Sequence, residues 1–142
     1  MPRRLPDGLL SQVEDRIRKA ARFRDAAEGA LGAGDYETTV SRAYYAAYHG
    51  AVAFLMANGN PEAEAWRSHA RVISQCVSLG TKRNTWLRGV TMPQKDFSDS
   101  LNTLYNWREE ADYSVQTIPR DRARRALDFV KEFLIAANDR IP

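Results

Sequence analysis

The chain has 142 residues, enough to bury one sizeable core. Its 44% hydrophobic and 27% charged residues are those of an ordinary globular protein, which argues against a disordered or membrane-embedded chain. A net charge of +3, carried mostly by arginine, suits an RNA or nucleotide partner without requiring one.

Strand alternation is nearly absent, and helical periodicity recurs five times. The first helix is expected to open at Asp7 as N-cap and to carry Leu10, Val13, Ile17, Ala20 and Ala27 at helical spacing, ending near Gly32-Ala33-Gly34. Its other face, with Arg16, Arg18, Lys19, Arg22 and Arg24, reads as solvated. The second helix runs from an Asp35 N-cap to Asn58-Gly59. Val40, Tyr44, Ala47, Ala51 and Leu55 form its stripe, widened by Tyr48, Val52 and Phe54. A helix so apolar on most sides belongs at the centre of a bundle or at an oligomer interface.

The third helix is expected to open at Asn60-Pro61, with Trp66, Ala70, Ile73 and Val77 as its stripe, and to give way to a loop from Gly80 to Pro93. The fourth runs from about Phe97 to Asp112 and sets Arg108 in register with Phe97, Leu101, Leu104 and Ala111. The fifth starts near Pro119, buries Ala123, Leu127, Val130 and Leu134, and exposes Arg120, Arg122, Arg124 and Arg125. With no repeat or low-complexity linker, residues 1–142 read as a single all-α domain, an up-and-down bundle of four to five helices.

Cys76 is the single cysteine, which excludes an internal disulfide and suits a reducing cytoplasm. The opening MPRRLPDGLL lacks an apolar run, so no signal peptide is expected. The most apolar stretch, Ala43 to Ala57, falls short of the ~20 residues of a membrane span.

Two constellations carry chemistry. In SRAYYAAYHG, Arg42 and His49 are seven residues apart with Tyr45 between them, so the three share one helix edge. That edge reads either as a solvent-facing margin or as a base and a cation for phosphodiester chemistry. In WREEADYSV, Arg108 lies on an apolar stripe with Asp112 one turn on, a structural bridge or a functional pair. His69 reads as a core-edge residue beside Ile73 and Cys76, and two histidines without further ligands make no metal site. No phosphate-cradling glycine loop, nucleophile elbow or HExxH motif is present, and no cofactor is expected.

Three strings occur in order: GDYETTVSRAYYAAYHGAVAFLMANG, then RSHARVI, then Arg108-Glu109-Glu110-Ala111-Asp112-Tyr113. Together they resemble the HEPN (higher eukaryotes and prokaryotes nucleotide-binding) family over about residues 30 to 138, closest to its stand-alone prokaryotic branch. The resemblance implies a dimerising four- or five-helix bundle. Many members are metal-independent ribonucleases, toxins paired with a minimal nucleotidyltransferase, or parts of phage-defence systems. Their motif is an arginine and a histidine separated by four to six residues. Here Arg108 matches the arginine, and Tyr113 stands where the histidine belongs.

Three readings follow. One is a ribonuclease using His49 with Arg108 or Arg42, and with Asp112 and Tyr113 in the site. A second is a catalytically silent module binding RNA, a nucleotide or a nucleotidyltransferase, with Tyr45, His69, Arg120 and Arg124 on the binding face and Tyr113 a target for AMP transfer. The third is a structural dimerisation module. A homodimer is expected because the second helix carries more apolar surface than one small bundle easily covers.

Overall fold

The computed structural model describes residues 5–82, 94–139 and 141. They form five α-helices: α1 (Asp7–Gly32), α2 (Tyr36–Ala57), α3 (His69–Lys82), α4 (Gln94–Tyr113) and α5 (Arg120–Asn138). A short 3-10 turn, Pro61–Ala65, lies between α2 and α3, and no strand occurs among the described residues. The chain is an all-α helical bundle.

The bundle is organised around α2, which packs against α1, α3, α4, α5 and the 3-10 turn. Asp35 caps it, accepting from the Thr38 backbone N–H at 3.3 Å and the Thr38 hydroxyl at 2.7 Å. Gly34 and Gly59, both at positive φ, let the chain turn before and after it. Fifteen of the 22 residues of α2 are buried within the single chain. The apolar excess that suggested an oligomer interface is therefore covered by the chain's own helices, and it supplies no argument for a dimer. Gly50 allows the closest approach: a Cβ there would collide with Leu134 Cδ2 of α5. The core continues through Val13, Ala20 and Ala27 of α1 and through Leu127, Val130 and Phe133 of α5.

Several boundaries differ from the sequence expectations. Pro6, not Asp7, occupies the N-cap of α1, and Asp7 sits in the first turn, where a carboxylate favours the exposed N–H dipoles. Pro61 opens only the 3-10 turn. Helix α3 starts eight residues later, where the Ser68 hydroxyl accepts from the Arg71 N–H at 3.2 Å. Residues 80–82 continue α3 rather than opening a loop; the remainder of the expected loop, 83–93, and the Phe97 side chain lie outside the described residues. Near the end of α4, Leu101, Leu104 and Arg108 are buried as the stripe requires.

Candidate functional site

Tyr44 is the centre of the site. It is a stripe residue of α2, 2% exposed, and its hydroxyl reaches across to α3, where it meets His69 Nδ1 at 2.6 Å. Its ring is covered from α4 by the Arg108 guanidinium, 5.0 Å from the ring centre. Tyr45 and Tyr105 complete the enclosure, with the same guanidinium carbon 5.8 Å and 5.3 Å from their ring centres. His69 stacks on Tyr48 at 4.5 Å and lies 5.6 Å from Tyr44 and 6.5 Å from Tyr105. Three helices thus place one arginine and one histidine against shared tyrosine rings.

Arg108 is 7% exposed, and an unpaired guanidinium so buried would be costly. Glu109 lies 3.3 Å from Nη2 and Asp112 3.5 Å from Nη1. Nε is buried without a hydrogen-bond acceptor among the described residues. Burial works against the Arg108 charge, yet Tyr45, Glu109, Tyr44 and Asp112 outweigh it and raise the pKa. Burial likewise raises the Tyr44 pKa, so its hydroxyl stays protonated at neutral pH. The His69 pKa is lowered, first by burial and then by Arg108, with Glu109 opposing.

His49 occupies a different environment. It is 8% exposed, and Arg16 of α1 holds its Nδ1 at 2.8 Å while also donating to the Glu64 carbonyl at 3.4 Å. Phe23 stacks on the ring at 5.3 Å. Burial, Arg16, Lys19 and His69 lower its pKa to about 4. The part of α2 that carries His49 is therefore packed under α1, while Arg42, two turns earlier on the same edge, is exposed, and Arg16 leaves the solvated face expected for it.

Arg42 and Asp112 come together in a cleft of about 210 Å³ between the start of α2 and the end of α4, lined also by Glu37, Thr38 and Ser41. Asp112 thus joins Arg108 to that cleft, and Tyr45 links the two arginine environments, since Phe23 lies 5.7 Å from Tyr45 and 5.7 Å from the Arg42 guanidinium. Tyr113 does not join them. Five residues beyond Arg108 on a regular helix it projects elsewhere, and it is 76% exposed. Arg120 and Arg124 lie on the exposed side of α5, Arg124 paired with Asp128 at 3.7 Å, and no described contact ties either to the tyrosine cluster. Among the described residues no group of three or more His, Cys, Asp or Glu side chains is placed to hold a metal ion. Tyr44, Tyr48, Tyr105 and Arg16 are site residues that spacing alone did not reveal. The clue for Tyr44 was a hydroxyl on an otherwise apolar stripe, which burial obliges to find a partner.

The bundle thus gathers an arginine, a histidine and four tyrosines where three of its helices meet. The model of the HEPN domain matches residues 13–140, and the chain belongs to that family. It is thereby a helical domain of nucleotide- or RNA-related function. It is also 28% identical over 134 residues to a protein of Archaeoglobus fulgidus described as a UPF0332 protein, with 93% of this chain and 97% of the other covered.

Proposed function

We propose that this HEPN protein acts on RNA as a homodimer in a toxin–antitoxin or phage-defence pair, cleaving it without a metal at Arg108 and His69. The observation that carries this reading is their shared seat on Tyr44, at 5.0 and 5.6 Å. The family motif takes its arginine and histidine from one helix; here α4 supplies the arginine and α3 the histidine. A Tyr44 hydroxyl accepting from Nδ1–H leaves the Nε2 lone pair of His69 free to take the ribose 2′-hydroxyl proton. That oxygen then attacks the adjacent phosphorus, the 5′-oxygen of the next nucleotide departs and takes up a proton from water, and a 2′,3′-cyclic phosphate remains. Arg108 stabilises the charge that develops on the phosphorane oxygens. Asp112 holds Nη1 at only 3.5 Å, a bond weak enough for a phosphate oxygen to replace. His49 is unsuited to the same task, because Arg16 occupies its acceptor nitrogen.

Incubation of the purified chain with end-labelled single-stranded RNA in EDTA tests the reading. Fragments from the wild type and none from a folded Arg108→Ala variant are expected. Intact RNA that nevertheless stays bound would replace ribonuclease by a silent binding module.

The exposure of Tyr113 favours a second role for the same chain. A tyrosine 76% exposed at the end of a helix is open to a nucleotidyltransferase partner, its hydroxyl attacking the α-phosphate of ATP with loss of pyrophosphate. Intact-mass measurement of the chain from its native host should then show an added adenylyl group on the wild type and none on Tyr113→Phe.

A further inference from the structure

A second groove, of about 280 Å³, runs between α1 and α2 and is lined by Lys19, Arg22, Phe23, Ala26 and Arg42. Three of these five residues are cations, none is acidic, and all three cations are exposed. Other arginines of α1 are neutralised locally: Arg18 pairs with Asp15, and Arg24 with Asp25 at 3.2 Å. No ion pair engages Lys19, Arg22 or Arg42 among the described residues. Their positive charge is therefore available to a ligand. Phe23 gives the groove an aromatic floor, held in place by His49 at 5.3 Å and Tyr45 at 5.7 Å. Arg42 lines both this groove and the cleft that holds Asp112, so the two are continuous through one side chain.

We infer that the groove of Lys19, Arg22 and Arg42 over Phe23 is a track for the backbone of single-stranded RNA, leading the strand along α1 towards Arg108. This rests on the reading that the chain acts on RNA, and it adds where the strand lies. Unpaired cations meet the phosphates, and the Phe23 ring packs against a ribose or base edge without regard to sequence. An acidic protein segment would use the cations but leave the aromatic floor without a matching group. His49 acquires a role in this arrangement as a fixed prop under Phe23 rather than as a chemical group.

Fluorescence anisotropy with a labelled single-stranded RNA, followed over a range of salt concentrations, tests the track. One variant carries Lys19→Gln, Arg22→Gln and Arg42→Gln; a second, matched in net charge, carries Arg120→Gln, Arg124→Gln and Arg125→Gln on the α5 face. The groove variant should bind roughly 10- to 100-fold more weakly near physiological salt, with its log–log salt slope reduced by about 2, the loss of three single-strand phosphate contacts. The α5 variant should stay within about threefold of wild type, since charges remote from the strand act only through a screened field. Should the groove variant melt early, the single exposed change Arg22→Glu replaces it, with weakened binding again expected. Equal losses in both variants, or none in the groove variant, would overturn the track while leaving RNA as the ligand. Displacement of the RNA by poly-glutamate at equal charge would assign the groove to an acidic protein instead. A wild type that binds no RNA would remove the functional reading itself, and the track with it.

Discussion

The two histidines of this chain stand beside the same tyrosine and differ in what holds them. Tyr48 stacks on His69 at 4.5 Å and meets His49 edge-on at 5.4 Å. A guanidinium can only donate, so Arg16 at 2.8 Å fixes His49 as a neutral ring accepting at Nδ1. A hydroxyl donates or accepts, so Tyr44 at 2.6 Å leaves His69 either tautomer. Burial is the leading cause of a lowered pKa at both. What separates them is the position of the nearby arginine. Arg16 sits on the ring nitrogen and uses its lone pair, whereas Arg108 shares the tyrosine rings beside His69 and leaves the nitrogens to other partners. Proximity of an arginine to a histidine therefore does not define a reactive pair; the atom it occupies does.

The comparison can be broken most severely at the arginines. Arg108→Ala should lower the RNA cleavage rate by about 10²-fold or more, the usual loss when a transition-state charge partner is removed. Arg16→Ala should leave it within about threefold, as for a residue with no contact to the reacting groups. Single-turnover assays in EDTA on both variants check this.

The next effect is on stability and pH. The His49 pKa falls from 6.5 to about 4, so the folded state binds fewer protons than the unfolded chain between those values. Its contribution is fully present above pH 6.5 and is lost as the pH falls through 4. A loss of roughly 3 kcal/mol is expected over that window, beyond what the carboxylates contribute. Urea unfolding at several pH values, with His49→Gln as the reference, isolates it: the variant should show a shallower fall.

Smaller still is the change in Tyr44→Phe, which keeps the ring under Arg108 and removes the bond to His69. The loss should be about 0.5–1.5 kcal/mol of stability, as for one hydrogen bond. Cleavage should slow by roughly 10-fold as the imidazole loses its orienting partner. Thermal melts and rate measurements on the same preparation check both. At the bottom of the scale, Arg124→Ala breaks an exposed pair at 3.7 Å and should shift stability by less than about 0.5 kcal/mol, with cleavage unchanged.

The architecture was legible because it follows local rules. Asp35 ahead of an apolar helical run announced α2, and Arg108 in register with Leu101 and Leu104 announced a buried charge with partners. The start of α3 was not legible: Pro61 suits a first helical turn but opens only the 3-10 turn, and Ser68 supplies the hydroxyl that caps α3. The site was only half legible. Arg42, Tyr45 and His49 share an edge by spacing, yet Arg16 reaches His49 from 33 positions away and His69 reaches Tyr44 from 25. Those pairings depend on how α1 and α3 lie across α2, which periodicity within one helix does not encode.

The most direct test sets the two histidines side by side. Purified wild type, His69→Ala and His49→Ala are given the same labelled RNA in EDTA, with circular dichroism used to match the folded fractions. His69→Ala should cleave roughly 10²- to 10⁴-fold more slowly than wild type, the usual worth of a general acid or base. His49→Ala, corrected for its folded fraction, should retain most of the wild-type rate. Loss in His49→Ala with full activity in His69→Ala would contradict the assignment of the reactive pair and return the chemistry to the α1–α2 side of the bundle.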